Sequence, residues 1–358
     1  MLTGPAADSL VASIARVCRS GLDPQALRES VLPRLQSAIP TDALWWALAD
    51  PTTLLFTQTY REELPASTGA YFVENEFLCE DVNKWTDLAQ SSSGVATLMH
   101  ATDSDPSRSA RYRDIFEPMG LHDELRSVMR VRGSSWGLLC LHREKATATF
   151  SVAEEQLLRR IAPHLAEGIR MGLLRQARQS PDAATGPGVI LLDADGDVVS
   201  VSAAAERLLG ELGGSMDRSG LPLEIRALAT LLSRLDPTQL SLPPVRIRTS
   251  SGQWLALHSS RMTPPNDTTI AIIMEEATPA DLAPLIMTAY GLTERERTIC
   301  GLICQGLTTR RISDHLHLTT DTVQDHVKSI YARTGVHSRG ELVATILRRD
   351  YLPYAAGA

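Results

Sequence analysis

Near the end of the 358-residue chain, the stretch from Thr319 to Thr334 spaces its polar residues as a helix would. Asp321, Gln324, Asp325 and Lys328 fall on one outward face, with Val323, Val327 and Ile330 on the inward one. The outward residue types suit contact with a nucleic acid duplex. Lys328 can neutralise a phosphate, and Arg310, Arg311 and Arg333 can do so from the flanks. Gln324 matches the N6 and N7 edge of adenine, and Asp325 can accept from N4 of cytosine. Thr319 and Thr322 offer hydroxyls at a helix N-terminus, which itself favours phosphate. A merely solvated helical face would carry the same charges, so the frame around them has to decide.

That frame is a set of short helices with legible ends. Thr293 and Glu296 form a capping box, in which serine or threonine and glutamate satisfy each other's free backbone N–H groups. Ile299, Leu302 and Ile303 make the first buried stripe, and Gly306 is placed to close that helix with positive φ. Thr308 caps a second helix with Ile312 and Leu316 inward. His317-Leu318 is a turn, Thr319 caps the third helix, and Gly335 ends it. Ser338 and Glu341 make another capping box before Leu342, Val343, Ile346 and Leu347. Four short helices with a tight turn before the third make a helix-turn-helix.

These residues resemble the LuxR-type DNA-binding domain of bacterial transcription regulators. Leu292-Thr293-x-Arg295-Glu296, Gly306-Leu307, Ile312, Leu316, Thr322-Val323-x-x-His326-Val327, Ile330, Gly335-Val336 and Ser338-Arg339 carry the resemblance, over about 60 residues. It implies that Thr319–Thr334 enters the major groove as the recognition helix. It also implies dimers on an inverted repeat, with Leu342, Val343, Ile346 and Leu347 supplying part of the dimer contact. Two departures stand out. Asp321 and Gln324 occupy positions where the family commonly has Lys or Arg, and Thr334 replaces an apolar residue. The aspartates lower the local positive potential and shift weight towards base readout or towards help from a partner.

Charge is distributed to match. The net charge is −7, yet residues 290–349 hold nine Lys/Arg against six Asp/Glu, while residues 1–289 hold 26 against 35. A mildly basic tail on an acidic body fits a small DNA-binding unit attached to something larger, although a solvated helical domain fits too.

The length predicts two or three domains. Residues 176–187, crowded with Pro, Gly, Ser and small polar residues, read as a linker. Before it, Ala26–Ile39 has helical apolar spacing interrupted by Pro33, and Ala43–Tyr60 reads as a hairpin around Asp50-Pro51. Ser127–Val131 and Trp136–His142 pair around Arg132-Gly133-Ser134-Ser135. Ser151 and Glu154 cap a helix striped by Leu157, Leu158, Ile161, Leu165 and Ile169, in which Pro163 should introduce a bend. Trp136-Gly137-Leu138-Leu139-Cys140-Leu141-His142, followed by Phe150-Ser151 and that helix, resembles a GAF domain. Leu158, Ile161, Leu165 and Ile169 would then offer a second dimer seam. After the linker, Val189–Leu192 and Val198–Val201 flank an Asp195-Gly196 turn, followed by a helix over Ala203–Leu212. Strands at Val245–Arg248, Trp254–His258 and Thr269–Met274, with a turn at Pro264–Asp267, complete a region resembling a PAS domain.

Twelve of the seventeen aromatic residues lie before residue 175, and Trp45, Phe72, Trp85, Phe116 and Trp136 can line an apolar ligand pocket. For each taken singly, ordinary core is the stronger reading. Arg111, Arg113, Asp123 and Arg126 can hold an acidic ligand, although a solvated loop with ion pairs is the simpler account.

The same reading excludes several classes. There is no phosphate-binding glycine loop, nucleophile elbow or zinc-binding His-Glu pair, so no enzyme is expected and no catalytic residue is named. His258 stands alone on its strand, and Cys300, Cys304, His315 and His317 make no zinc spacing, so neither metal nor cofactor is expected. Five cysteines make no disulfide framework, and neither a leader peptide nor a membrane span is legible.

The expectation is a multi-domain, cytoplasmic and nucleoid-associated regulator. An α+β GAF-like domain spans 1–175, the linker 176–187, an α+β PAS-like domain 188–276 and a connector 277–289. An all-α four-helix helix-turn-helix DNA-binding domain occupies 290–358. Its partners are double-stranded DNA, a second copy of the chain, an unidentified small-molecule effector and RNA polymerase, with no membrane. The alternative is an interaction module that sequesters a partner and does not bind DNA by itself.

Overall fold

The computed structural model describes residues 4–65, 68–176, 186–212, 221–235, 241–262 and 269–347. The chain divides into two compact units, Met1–Gly172 with Pro181–Glu276, and Leu173–Ser180 with Ala277–Ala358.

In the first unit, α1 (Pro5–Cys18) and α2 (Pro24–Ala38) precede a five-stranded antiparallel sheet. The side chain of Asp23 caps α2 by accepting from the N–H groups of Gln25 and Ala26, and the helix runs on through Pro33. Strands β1 (Ala43–Ala49) and β2 (Phe56–Glu62) form the expected hairpin. Its turn is shaped by Asp50, whose carboxylate accepts from the N–H groups of Thr52 and Thr53. Helices α3 (Thr68–Leu78) and α4 (Trp85–Gln90), strand β3 (Val95–Thr97) and the short α5 (Leu98–Ala101) follow.

Strands β4 (Leu121–Val131) and β5 (Ser134–Glu144) are longer than their apolar stretches alone predict. Their turn is the two residues Arg132 and Gly133, both at positive φ, because a tight hairpin matches the strand twist only with that backbone. The sheet order is β2-β1-β5-β4-β3.

Helix α6 (Val152–Gln176) starts at the expected capping box. Glu154 accepts from the Ser151 N–H at 2.8 Å, and its own N–H donates to Ser151 Oγ. Leu158, Ile161, Leu165 and Ile169 are fully buried within a single copy of the chain. They therefore cannot form the expected dimer seam. Gly137 explains how closely α6 sits: a Cβ there would lie 3.0 Å from Ile169 Cδ1 and 3.0 Å from the Ala47 carbonyl.

The same unit holds a second five-stranded sheet. Its elements are β6 (Gly188–Leu192), β7 (Val198–Val201), α7 (Ala203–Glu211), α8 (Leu223–Arg234), β8 (Val245–Arg248), β9 (Trp254–Met262) and β10 (Thr269–Glu276). Its order, β7-β6-β10-β9-β8, repeats that of the first sheet: second, first, fifth, fourth, third. The two sheets share one hydrophobic core and are bridged by Arg246, which donates to Asp50 at 2.9 Å. Helix α8 packs against α3 and β2. Of the predicted linker, residues 177–185 lie outside the described residues, as does the predicted turn at Pro264–Asp267.

The second unit is helical. It comprises α9 (Pro279–Ala289), α10 (Glu294–Cys304), α11 (Thr309–Leu316), α12 (Thr320–Thr334) and α13 (Arg339–Leu347). The segment read as a connector is thus a helix, opened by a capping box between Thr278 and Asp281 and packed against α13. Ile299, Ile303, Ile312, Val323, Ile330, Leu342 and Ile346 form the core. Leu342 and Ile346, predicted as dimer contacts, have no exposed surface, because α13 turns that stripe onto α9 and α10. Val343 and Leu347 are half-buried. Among the described residues, no helix is long and apolar enough to cross a membrane.

Candidate nucleic-acid interface

Helix α11 ends at His317, which adopts a left-handed backbone at φ 52° although it is not a glycine. The chain turns through Leu318, and Thr319 caps α12 by accepting from the Thr322 N–H at 3.1 Å. The hydroxyls of Thr319 and Thr322 lie 2.8 Å apart and bond to each other.

Beyond that cap, Asp321, Gln324, Asp325 and Lys328 are all exposed, as the helical spacing predicts. Arg310 and Arg311 are exposed at the start of α11. Lys328 Nζ donates to Asp325 Oδ1 at 3.0 Å, with both side chains about three-quarters exposed. Such a surface pair contributes about 0–1 kcal/mol, so a phosphate can displace it at little cost.

Arg333 is engaged elsewhere. Its Nε lies 3.4 Å from Glu296 and it donates to the Gly291 carbonyl at 2.8 Å. The predicted phosphate contact is therefore an interhelix tie, placed one helical turn beyond Ser329 on the α10 side of α12. Thr334 is buried, and its hydroxyl donates to the Ile330 carbonyl at 2.8 Å, so this polar replacement leaves no unsatisfied group.

Glu296 is where the ties converge. Its carboxylate accepts from the Thr293 N–H at 2.7 Å and from Ser329 Oγ at 2.5 Å. Burial alone would raise its pKa, but these hydrogen bonds and the Arg333 charge bring it below the usual carboxylate range. Two further arginines hold helix ends: Arg295 donates to the Leu316 carbonyl and Arg339 to the Leu307 carbonyl. Neither clamp was predicted, since a bond to a backbone carbonyl 21 or 32 residues away leaves no sequence signal.

Residues 291–346 match the model of the luxR family of bacterial regulatory proteins, and residues 53–169 match the GAF domain. The spore germination protein GerE of Bacillus subtilis is 35% identical over 61 residues, which are 17% of this chain and 82% of that protein. The chain belongs to the LuxR family. The DNA-binding transcriptional activator DevR/DosR of Mycobacterium tuberculosis is 38% identical over 65 residues, covering 18% of this chain and 30% of that relative's length. The monoamine regulon transcriptional regulator of Klebsiella aerogenes is 36% identical over 64 residues, again 18% of this chain and 26% of that relative. In this LuxR-family member the family's helix-turn-helix DNA-binding domain is C-terminal, and the first sheet belongs to a GAF domain.

Within the GAF domain the structure gathers only some of the predicted pocket residues. Trp45, Phe72 and Phe116 line a cavity together with His142 and Leu223. Trp85 is not part of its wall. It stacks behind Trp45, with centroids 6.0 Å apart, and carries the Arg126 guanidinium 4.0 Å over its ring. Trp136 is fully buried and also lies off the wall.

Two of the arginines read as a ligand site or a solvated loop are neither. Arg111 and Arg126 are fully buried and bonded to carboxylates. Arg111 lies 2.8 Å from Glu124 and 3.6 Å from Asp81; Arg126 lies 3.1 Å from Glu76 and 3.3 Å from Glu124. Burial would raise the Glu124 pKa, but the two guanidiniums outweigh it and hold the carboxyl low. Asp123 accepts backbone N–H groups from Met99, Glu124 and Phe150, while Arg113 is exposed and donates to the Ser107 carbonyl.

Ligand atoms of Glu124, Cys140 and His142 come within 4.8 Å of one another. A metal ion there would face the positive charges of Arg111 and Arg126, and burial pushes the Cys140 thiol up, away from the thiolate a metal needs. The cluster fits ion-pair packing rather than a metal site.

Proposed function

We propose that the chain is a sequence-specific DNA-binding regulator that acts as a dimer on an inverted repeat. The observation that carries this reading is the free outer face of α12, with Gln324, Asp325 and Lys328 flanked by Arg310 and Arg311. Gln324 and Asp325 read bases. Lys328, Arg310 and Arg311 meet phosphates, and the Thr319–Thr322 end of α12 approaches the backbone. With Leu342 and Ile346 internal, Val343 and Leu347 are the two of the four predicted α13 contacts left to meet a second copy. Two recognition helices then meet major-groove faces about 34 Å apart.

The region from residue 188 to 276 is read as a PAS-like second sensory module. Five antiparallel strands support this, with α7 and α8 inserted between the second and third. An effector bound by the N-terminal region then favours one placement of the DNA-binding helices.

Selection of genomic DNA fragments by the full-length protein near physiological salt tests the reading, with Lys328→Glu as control. A symmetric site enriched by the wild type and lost in the variant supports it. Equal recovery by both overturns it.

The second reading is an interaction module that sequesters a partner. What favours it is the pairing of the lysine on this face with Asp325, beside a second carboxylate at Asp321. Binding to DNA that falls steeply with salt separates the two, because phosphate contacts release counterions.

A further inference from the structure

The GAF-domain cavity is built largely from rings. Trp45 and Phe72 stand with centroids 5.1 Å apart, and Phe116 and His142 at 4.7 Å. Its free volume is about 40 Å³, and beyond that it opens to solvent. Walls of this kind favour a flat apolar body of one-ring size, since stacked and edge contacts add to area burial.

One polar group on the wall is out of place. His142 is only 1% exposed, and among the described residues its Nδ1 has no hydrogen-bond partner. Buried polar groups are nearly always paired, so an imidazole without a partner, in a residue that lines the cavity, is a place for a ligand's polar group to bond. The charge state of that atom follows from its surroundings. Glu124 lies beside His142 in an ion-pair network where Arg111, Arg126 and Lys84 face Glu76, Asp81 and Glu124, three charges of each sign, so no net charge is left there to balance an ion. Arg61, the charged residue on the wall, is exposed at the mouth.

The cavity is also closed from outside the GAF domain. Leu223 begins α8 and seats on Gly69 of α3, where an added Cβ would fall 2.5 Å from Leu223 Cδ1. Whatever occupies the recess therefore presses on a helix of the second sheet.

We propose that this recess takes a small single-ring molecule with one neutral polar group, which hydrogen-bonds to His142 beneath a lid formed by Leu223. The inference rests on the reading that the N-terminal region senses a ligand, and it names the class. Burial pushes the His142 pKa down to about 4, so near neutral pH its ring offers one donor and one acceptor. A hydroxyl or carbonyl satisfies either, whereas a carboxylate would be desolvated without a counter-ion.

Phenol and toluene are matched probes, titrated into the full-length protein by calorimetry and by intrinsic tryptophan fluorescence. Phenol is expected to bind about tenfold more tightly than toluene. His142→Leu should reduce phenol to the toluene level, and Leu223→Trp, which fills the mouth, should weaken both at least tenfold. Should His142→Leu fail to fold by circular dichroism, the wild-type ratio and the Leu223→Trp variant still decide. Equal affinities in the wild type, no binding of either at millimolar concentration, or full binding by Leu223→Trp overturns the proposal. Genomic DNA selection on the same preparation separates the two readings. DNA enrichment without ring-compound binding removes this inference alone, and the reverse result removes only the DNA-binding reading.

Discussion

Ser329 on α12 donates a 2.5 Å hydrogen bond to the carboxylate of Glu296 on α10, 33 residues earlier in the chain. The same carboxylate caps its own helix and holds Arg333, so one side chain sets the start of α10 and the seat of α12 together. Glu296→Ala strips the cap and leaves Ser329 and Arg333 without their acceptor. The expected loss is about 2–3 kcal/mol in the urea unfolding of the C-terminal helices, and Ser329→Ala should lose about 1 kcal/mol.

Lys328 and Asp325 make opposite contributions at the surface of α12. Lys328→Glu should weaken operator binding about tenfold or more and lower the salt slope by about 1, because one phosphate contact disappears. Asp325→Asn frees Lys328 and should raise affinity for unrelated DNA. Competition binding across a salt series reads both. Unchanged slopes in both variants would remove Lys328 from the phosphate contacts.

The buried arginines of the GAF domain should tolerate truncation poorly. Arg126→Leu leaves Glu76 and Glu124 in the interior with Glu76 unpaired, and should cost about 3–5 kcal/mol. Thermal unfolding of the full-length protein tests this. A melting temperature within a degree of the wild type would mean that the network contributes little.

His142 links stability to pH. Its folded pKa is depressed to about 4 from 6.5, so below pH 6.5 the unfolded chain takes up a proton that the folded one refuses. Stability is full above 6.5 and falls as pH drops towards 4, by about 2 kcal/mol at pH 5. Comparing denaturant midpoints at pH 7 and pH 5 for the wild type and His142→Phe isolates this, since the variant should lose that part of the slope.

On α13, neighbouring positions should behave differently. Leu342→Ala opens a hole in the core and should cost about 2–5 kcal/mol. Val343→Asp should leave the fold intact and shift sedimentation towards the monomer. Unaltered sedimentation would move the dimer contact off this helix.

The C-terminal helices were legible because their signals are local. Thr293 with Glu296, Thr308, Thr319 and the glycines at 306 and 335 mark ends within four residues of where each helix starts or stops. The hairpins were legible for the same reason, although β4 and β5 continue beyond their apolar stretches because the pairing itself extends them. Arg111 and Arg126 were misread because their burial depends on Glu76, Asp81 and Glu124, brought together from α3, β4 and the loop before α4. Nothing in their neighbourhood along the chain distinguishes them from surface arginines. Helix α8 went unpredicted, although Ile225, Leu228 and Leu232 are spaced for it. Leu223, which closes the cavity, was missed with it. Leu342 and Ile346 on α13 were recognised as an apolar stripe but given to the wrong neighbour, since an apolar face does not say whether its partner is the same chain or another copy.

His317 turns the corner between α11 and α12 with a left-handed backbone, and Arg295 grips the Leu316 carbonyl immediately before it. Together with the ties at Glu296, they remove the torsional freedom through which α12 could swivel on its own. The corner between α11 and α12 is thus held from both sides. On the proposed regulatory reading, a signal would move these helices together rather than turn α12 against α11.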